Sequence, residues 1–223
     1  MHKELPCHFT GNGSSIIFFS VMQHSKDEAG RDIKKAAEIL RCGGTVIYPT
    51  ETVYGIGASI FSKEALKKVF DIKKRNARKP VSIAVSSFDM IDELVHMGEK
   101  ERAFIEKFLP GPVTILLKKK PAVPDILTPD TDIVGIRYPD HRLALELIER
   151  AGVPITSTSA NISGEAPPRN VDEIKISADY ISDGGTCNGE PSTVIDLVNL
   201  RLVRKGARYE EVMAALRKMK EGL

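Results

Sequence analysis

The residues of this 223-residue chain whose types and spacing suit chemistry fall into two sets. One is a set of cations beside apolar runs: Lys73, Arg75 and Lys79 ahead of Val81-Ser82-Ile83-Ala84-Val85, Arg137 ending Ile133-Val134-Gly135-Ile136, Arg169 closing a hydroxyl-rich loop, and Arg204 after Leu202-Val203. The other is a set of small hydroxyl and amide groups: Thr50 and Thr52 after Thr45-Val46-Ile47-Tyr48-Pro49, Ser159 and Asn161 after Pro154-Ile155, and Ser192 opening Thr193-Val194-Ile195. Fixed cations with short hydrogen-bonding side chains suit phosphoryl or nucleotidyl transfer, where catalysis is mainly positioning and neutralisation of charge. The chain has no Gly-x-x-x-x-Gly-Lys-Ser/Thr cradle, no Gly-x-Gly-x-x-Gly after a strand and no Gly-x-Ser-x-Gly elbow. The two commonest nucleotide motifs and acyl-enzyme chemistry are therefore not indicated, and no residue is an obvious general base.

Each feature also has a structural explanation. Cations in a last helical turn complement the macrodipole, hydroxyl-rich loops satisfy backbone groups, and Gly55 and Gly57 supply unusual dihedrals in a turn where Thr50 and Thr52 bond their own backbone. The binding reading gains weight because polar loops of one character recur after several apolar runs, and ligands of open α/β sheets sit beyond strand ends of this kind.

The elements that must hold these groups follow from periodicity. Thr45 to Tyr48 is β-branched and aromatic and reads as a buried strand ended by Pro49; Val81–Val85, Val113–Leu117, Ile133–Tyr138, Pro154–Thr156, Ser192–Leu197 and Leu202–Arg204 read as further strands. Helical stripes are formed by Ile33, Ala36, Ala37 and Leu40, by Leu66, Val69 and Phe70 behind a Ser62 cap, by Met90, Ile91, Leu94 and Val95, by Ala103, Phe104, Phe108 and Leu109, by Leu143, Leu147, Ile148 and Ala151, and by Val212, Met213 and Leu216. Gly43-Gly44, Gly98 and Gly152 read as helix stops, and Lys118-Lys119-Lys120 as the solvated exit of a strand. Ser25 with Glu28 has capping-box spacing, and Ile16 to Val21 reads as a first strand. Thr156 to Gly164 reads as one continuous polar loop, and Asn170 with Glu173 as the cap of a short helix.

Length predicts one domain, residues 26–223, behind an extension without clear periodicity at residues 1–25. Hydrophobic residues at 42% and charged residues at 28% are ordinary for globular proteins, and the formal net charge of +2 gives no global case for a nucleic-acid binder. No apolar run approaches the roughly 20 residues of a spanning helix, and no signal peptide is evident, so a cytoplasmic address without membrane association is expected. Three widely spaced cysteines, Cys7, Cys42 and Cys187, argue against a disulfide framework or structural zinc and are expected to be reduced. The five histidines show no ligand spacing, so no protein-held metal is expected.

The ordered motifs also carry a resemblance. Pro49-Thr50-Glu51-Thr52-Val53-Tyr54-Gly55, Lys73-x-Arg75, Pro110-Gly111-Pro112-Val113-Thr114, Gly135-Ile136-Arg137, Ser157-Thr158-Ser159-Ala160-Asn161-Ile162-Ser163-Gly164 and Ser192-Thr193-Val194-Ile195-Asp196-Leu197 resemble the successive motifs of YrdC-like threonylcarbamoyl-AMP synthases in their single-domain form. The resemblance implies an α/β fold with a twisted open mixed β-sheet, helices packed around it, and a large basic cavity. It implies the joining of L-threonine, bicarbonate and ATP into threonylcarbamoyl-AMP and pyrophosphate, with Mg²⁺ carried in on the nucleotide. The product would pass to a separate transferase that modifies the adenosine next to the anticodon in tRNA. Lys73, Arg75, Lys79, Ser159, Asn161, Arg169 and Arg204 fall on ATP-binding positions, with Lys73 and Arg75 as the catalytic cations; Thr52, Arg137, Ser159 and Ser192 fall on the threonine pocket. Where many members read Asn-Pro-Leu and Arg-Pro-Gly, this chain has Lys79-Pro80-Val81 and Arg204-Lys205-Gly206.

Two other readings compete. A non-catalytic module binding tRNA or double-stranded RNA explains the cations but not the hydroxyl pockets. A carbamoyl-adenylate-forming enzyme shares the domain type, but its accessory zinc-finger and acylphosphatase segments are absent from this sequence.

Overall fold

A computed structural model describes residues 26–221. The extension at 1–25, the strand read from Ile16 to Val21 and the Ser25 cap lie outside the described residues. The chain begins with helix α1 (Lys26–Arg41), strands β1 (Thr45–Tyr48) and β2 (Gly55–Ala58), helix α2 (Lys63–Ile72), strand β3 (Ser82–Ala84), helix α3 (Phe88–Leu94), strand β4 (Val95–His96) and helix α4 (Glu99–Phe108). It continues with strands β5 (Val113–Lys119) and β6 (Ile133–Arg137), helix α5 (Arg142–Ala151), strands β7 (Ile155–Ser159), β8 (Tyr180–Ile181), β9 (Thr193–Asp196) and β10 (Arg201–Arg204), and helix α6 (Tyr209–Glu221). Short 3₁₀ turns occupy Asp125–Leu127 and Val171–Glu173. No helix among the described residues is long and apolar enough to cross a membrane.

The strands form one mixed α/β sheet in the order β10-β9-β5-β6-β3-β7-β2-β1-β8, with β4 added beside β5. Pairs β1/β8, β3/β6 and β5/β9 are parallel and the others antiparallel. Helices cover it as their apolar stripes demand. Ile33, Ala36, Ala37 and Leu40 of α1 pack with Leu147, Ile148 and Ala151 of α5 against β1, while Leu66 and Phe70 of α2, Ile91 and Leu94 of α3, Phe104 and Phe108 of α4 and Leu216 of α6 cover the β3–β6–β5 region. Local signals hold where their chemistry is short-range. Ser62 accepts a bond from the Ala65 N–H, Gly43 ends α1 in a left-handed conformation, and Gly152 does the same for α5 while donating to the Ile148 and Glu149 carbonyls.

The structure corrects several sequence expectations. Gly55 and Gly57 are not turn residues with unusual dihedrals: both lie in β2, and neither is left-handed. They are glycines because the Tyr48 ring lies across them; a Cβ on Gly57 would stand 2.8 Å from Ile155 Cδ1 and 3.0 Å from Tyr48 Cε1. The supposed loop at Thr156–Gly164 begins later, since Thr156 to Ser159 belong to β7 and pair with β3 and β2. Lys118 and Lys119 are strand residues rather than a solvated exit, for β6 and β4 take both edges of that segment. Gly98 caps the start of α4 instead of stopping α3, because Val95 and His96 leave the helix to pair with β5. Two-residue strands β4 and β8 carry too little pattern to be read. Cys187 is free and buried.

Gly206 crosses the chain at Pro191–Ser192, and a Cβ there would meet Pro191 O at 2.2 Å and Ser192 C at 2.7 Å. Backbone atoms cannot rotate aside as a side chain does. Gly206→Ala is expected to destabilise the fold by about 1–3 kcal/mol, read as a lowered urea midpoint at unchanged slope. A wild-type midpoint would show that this crossing has slack.

Candidate active site

The tips of β1, β5, β6, β7 and β9 converge on a cavity of about 370 Å³. That falls within the about 300–1,000 Å³ of small-ligand sites. Register explains the convergence: Thr114 of β5 stands opposite Arg137 of β6, Ala84 of β3 beside the same arginine, and Gly55 of β2 opposite Ser159 of β7. Of the residues expected from sequence, Thr50, Thr52, Arg75, Arg137, Ser159, Asn161, Ser192 and Arg204 line the cavity, as do Tyr48, Thr114 and Ser157, which the residue-level reading passed over.

On the β1–β2 side, Thr50 is the local organiser. Its Oγ1 accepts from the N–H groups of Thr52 and Val53 and donates to the Val53 carbonyl at 2.6 Å, which uses its one proton. The 2.9 Å contact between the two hydroxyls must then run from Thr52 to Thr50. Thr52 therefore faces the cavity with its lone pairs, as an acceptor.

Arg137 is buried, at 4% exposure, and its Nη2 donates to Glu51 Oε1 at 2.6 Å while Nη1 donates to the Val113 carbonyl at 3.3 Å. Burial pulls the Arg137 pKa down and the Glu51 carboxylate opposes it; a guanidinium stays charged either way. Glu51 also accepts from the Asp140 N–H, while its Oε2 is buried without a partner. Nothing in the residue-level reading singled out Glu51, although it sits between the two threonines that were chosen.

Across the cavity Arg204 donates through Nε and Nη2 to the Ser192 carbonyl and through Nη2 to the Ser192 hydroxyl at 2.9 Å, and that hydroxyl also contacts Thr114 Oγ1 at 2.9 Å. Burial and the positive field of Arg137 both lower the Arg204 pKa. Arg75 folds over its own loop, donating to the Lys79 and Pro80 carbonyls. Neither Arg75 nor Arg204 has a carboxylate partner among the described residues, and the single carboxylate lining the cavity, Glu165, is exposed.

Three expected residues stand elsewhere. Lys79 is exposed; its carbonyl accepts from Arg75 and its backbone N–H donates to the Asn76 carbonyl. Arg169 is exposed and lies over Gly189, outside the cavity lining. Lys73 is 1% exposed, beneath the β7 exit: its ammonium donates to the carbonyls of Ser159 and Asn161 and to Asn161 Oδ1, and burial pushes its pKa down to about 8, with Arg75 adding to the shift. It is not the exposed helix-end cation that its neighbours in sequence suggest. No cluster of three or more His, Cys, Asp or Glu that could hold a metal occurs among the described residues.

The chain is similar to known proteins in both sequence and fold. Residues 38–206 match the Sua5/YciO/YrdC family model, which carries the description "Telomere recombination". A Methanocaldococcus jannaschii protein provisionally named a threonylcarbamoyl-AMP synthase is 41% identical over 193 residues, covering 84% of this chain and 89% of that protein. The threonylcarbamoyl-AMP synthase of Pyrococcus abyssi is 40% identical over 173 residues, covering 74% of this chain, which spans about half (50%) of that longer protein. The crystal structure of P. abyssi Sua5 complexed with L-threonine superposes with a TM-score of 0.77 at 38% identity, covering 82% of this chain and 56% of that one. This chain is a member of the Sua5/YciO/YrdC family.

Proposed function

We propose that this protein is an L-threonylcarbamoyl-AMP synthase, forming threonylcarbamoyl-AMP and pyrophosphate from L-threonine, bicarbonate and ATP. The observation that carries the reading is the cavity itself, where Arg75, Arg137 and Arg204 meet short hydroxyl and amide groups and two of the three guanidiniums lack a counter-carboxylate. Such a site favours a polyanionic ligand, and related proteins bear the name of this synthase.

In the proposed reaction the threonine amine loses a proton and its nitrogen bonds to the carbon of bicarbonate, with loss of water. A carbamate oxygen of the product then attacks the α-phosphorus, and the bond to the pyrophosphate oxygen breaks. Arg204 and Arg75 take the phosphate charge that accumulates as this bond breaks, and Asn161 supplies an N–H to a phosphate oxygen. Arg137 takes the threonine carboxylate, with Glu51 holding the guanidinium in place. Thr52, as an acceptor, receives the hydroxyl of the substrate. Mg²⁺ enters on the nucleotide as its counter-ion. The product then goes to a transferase acting on tRNA.

The test is pyrophosphate release on incubation with ATP, threonine and bicarbonate, each omitted in turn. Release that requires all three supports the synthase. ATP-independent binding of RNA that falls steeply with salt would favour the RNA-binding module, and turnover on carbamoyl phosphate without threonine would favour the carbamoyl-adenylate enzyme.

Arg204→Ala is expected to lower kcat/KM for ATP by about 10–100-fold, corresponding to about 1.4–2.8 kcal/mol of transition-state stabilisation. An unchanged value would remove Arg204 from the phosphate site. Selectivity follows from the lone pairs on Thr52. Valine keeps the shape of threonine but offers no hydroxyl, so the acceptor stays unpaired; serine loses only a methyl, at about 1–3 kcal/mol. Serine should therefore be the better of the two as substrate at matched concentration, and the reverse order would refute a direct hydroxyl contact.

A further inference from the structure

Lys73 holds a different place from the other cations of the site, and donor counting shows what that place does. An ammonium has three protons, and three acceptors surround this one: the Ser159 carbonyl, the Asn161 carbonyl at 2.7 Å and Asn161 Oδ1 at 3.3 Å. None is left for a ligand. Asn161 Oδ1 receives a second bond from the Ser159 hydroxyl, so both of its lone pairs are engaged. The amide of Asn161 is held in this orientation, because reversing it would bring the NH₂ against an ammonium and turn its oxygen toward the Glu165 carbonyl. Its Nδ2 gives one N–H to the Glu165 carbonyl at 2.7 Å and keeps the other. The hydroxyl of Ser159, having spent its proton on Asn161, likewise offers only lone pairs.

Resting on the nucleotide site proposed above, we infer that Lys73 is a positioning residue: it locks the Ser159–Asn161 turn so that Asn161 presents an N–H and Ser159 an acceptor to the cavity, and does not itself contact the nucleotide. A donor and an acceptor of fixed identity two residues apart would bind a phosphate oxygen at Asn161 and an ammonium, a hydroxyl or metal-bound water at Ser159. Without Lys73 the amide is free to rotate and to present its carbonyl oxygen, which repels a phosphate. The arrangement also accounts for a lysine buried to 1% exposure in a loop whose other cations are exposed or half-buried.

The test is a double-mutant cycle read by calorimetric titration of MgATP into the wild type, Lys73→Met, Asn161→Ala and the double variant, with folding checked by thermal unfolding. If Lys73 acts through Asn161, each single substitution weakens binding tenfold or more and the double variant is no weaker than the weaker single one. Additive losses would show that Lys73 touches the nucleotide itself, and wild-type affinity in Lys73→Met would show that the lock is not needed; either overturns the inference. Should Lys73→Met fail to fold, Lys73→Leu, which likewise has no donor, takes its place. A second readout needs no ATP. The side-chain amide signals of Asn161 in a ¹H–¹⁵N spectrum, assigned by their loss in Asn161→Ala, should shift or broaden when Lys73 is replaced. Unmoved signals refute the lock. Shifted signals in a protein that binds no ATP would uphold it and refute the nucleotide reading instead.

Discussion

The buried ion pair between Arg137 and Glu51 is the constraint on which the rest of the cavity depends. The two residues are 86 positions apart, and their 2.6 Å contact ties the end of β6 to the loop between β1 and β2. Glu51 also holds the Asp140 N–H, and Arg137 the Val113 carbonyl, so a single charge pair gathers the ends of three strands. Removing one partner from such a pair costs about 3–5 kcal/mol, because the other is left charged in a poorly solvating place. The same pair acts on Arg204, which feels the positive field of Arg137 and donates only to neutral oxygens of Ser192. Among the described residues, Arg204 therefore has no carboxylate to offset its charge at the cavity wall.

Around this frame, the small polar side chains are held in fixed donor and acceptor states. Thr50 spends its proton on Val53 and turns Thr52 into an acceptor; Ser159 spends its proton on Asn161 and turns the amide of that residue into a donor. Neutral hydroxyls and amides can usually serve either way, which makes them poor discriminators in a mobile loop. Here backbone carbonyls and one buried ammonium remove that freedom. Prior orientation of this kind avoids reorganisation when a ligand arrives, and it is the mode by which fixed dipoles lower a barrier.

The sheet serves the site through its mixed topology. Strand β5 runs antiparallel to β6 and parallel to β9, so Thr114 at the start of β5 and Ser192 ahead of β9 meet Arg137 at the end of β6, while Ser157 of β7 stands opposite Ser82 of β3 and Ser159 opposite Gly55 of β2. Glycines at Gly55 and Gly57 let the Tyr48 ring lie flat against β2 and form part of the cavity wall. The Tyr48 hydroxyl reaches the Thr156 carbonyl, and burial raises its pKa above the ordinary phenol range, so it acts there as a neutral wall rather than an anion.

The sequence by itself determined the helices α2 and α5 with their Ser62 and Gly152 caps, the β-branched strands β1, β5, β6 and β9, and the ordered motifs that mark the family, since all of these rest on periodicity or chemistry within a few residues. It also picked out eight of the cavity-lining groups, because hydroxyls, amides and cations at strand ends are visible as residue types. Only the tertiary structure decided what those groups do. Lys73 and Arg75 are two positions apart in one basic run, yet one is sealed beneath the turn at Asn161 and the other lines the cavity, a difference set by where β7 ends rather than by anything near residue 73. Glu51 acquires its role from Arg137, 86 residues away, and Gly55 from the ring of Tyr48 across a strand pair. Burial and hydrogen-bond direction depend on groups remote in the chain, and neither leaves a mark in local composition.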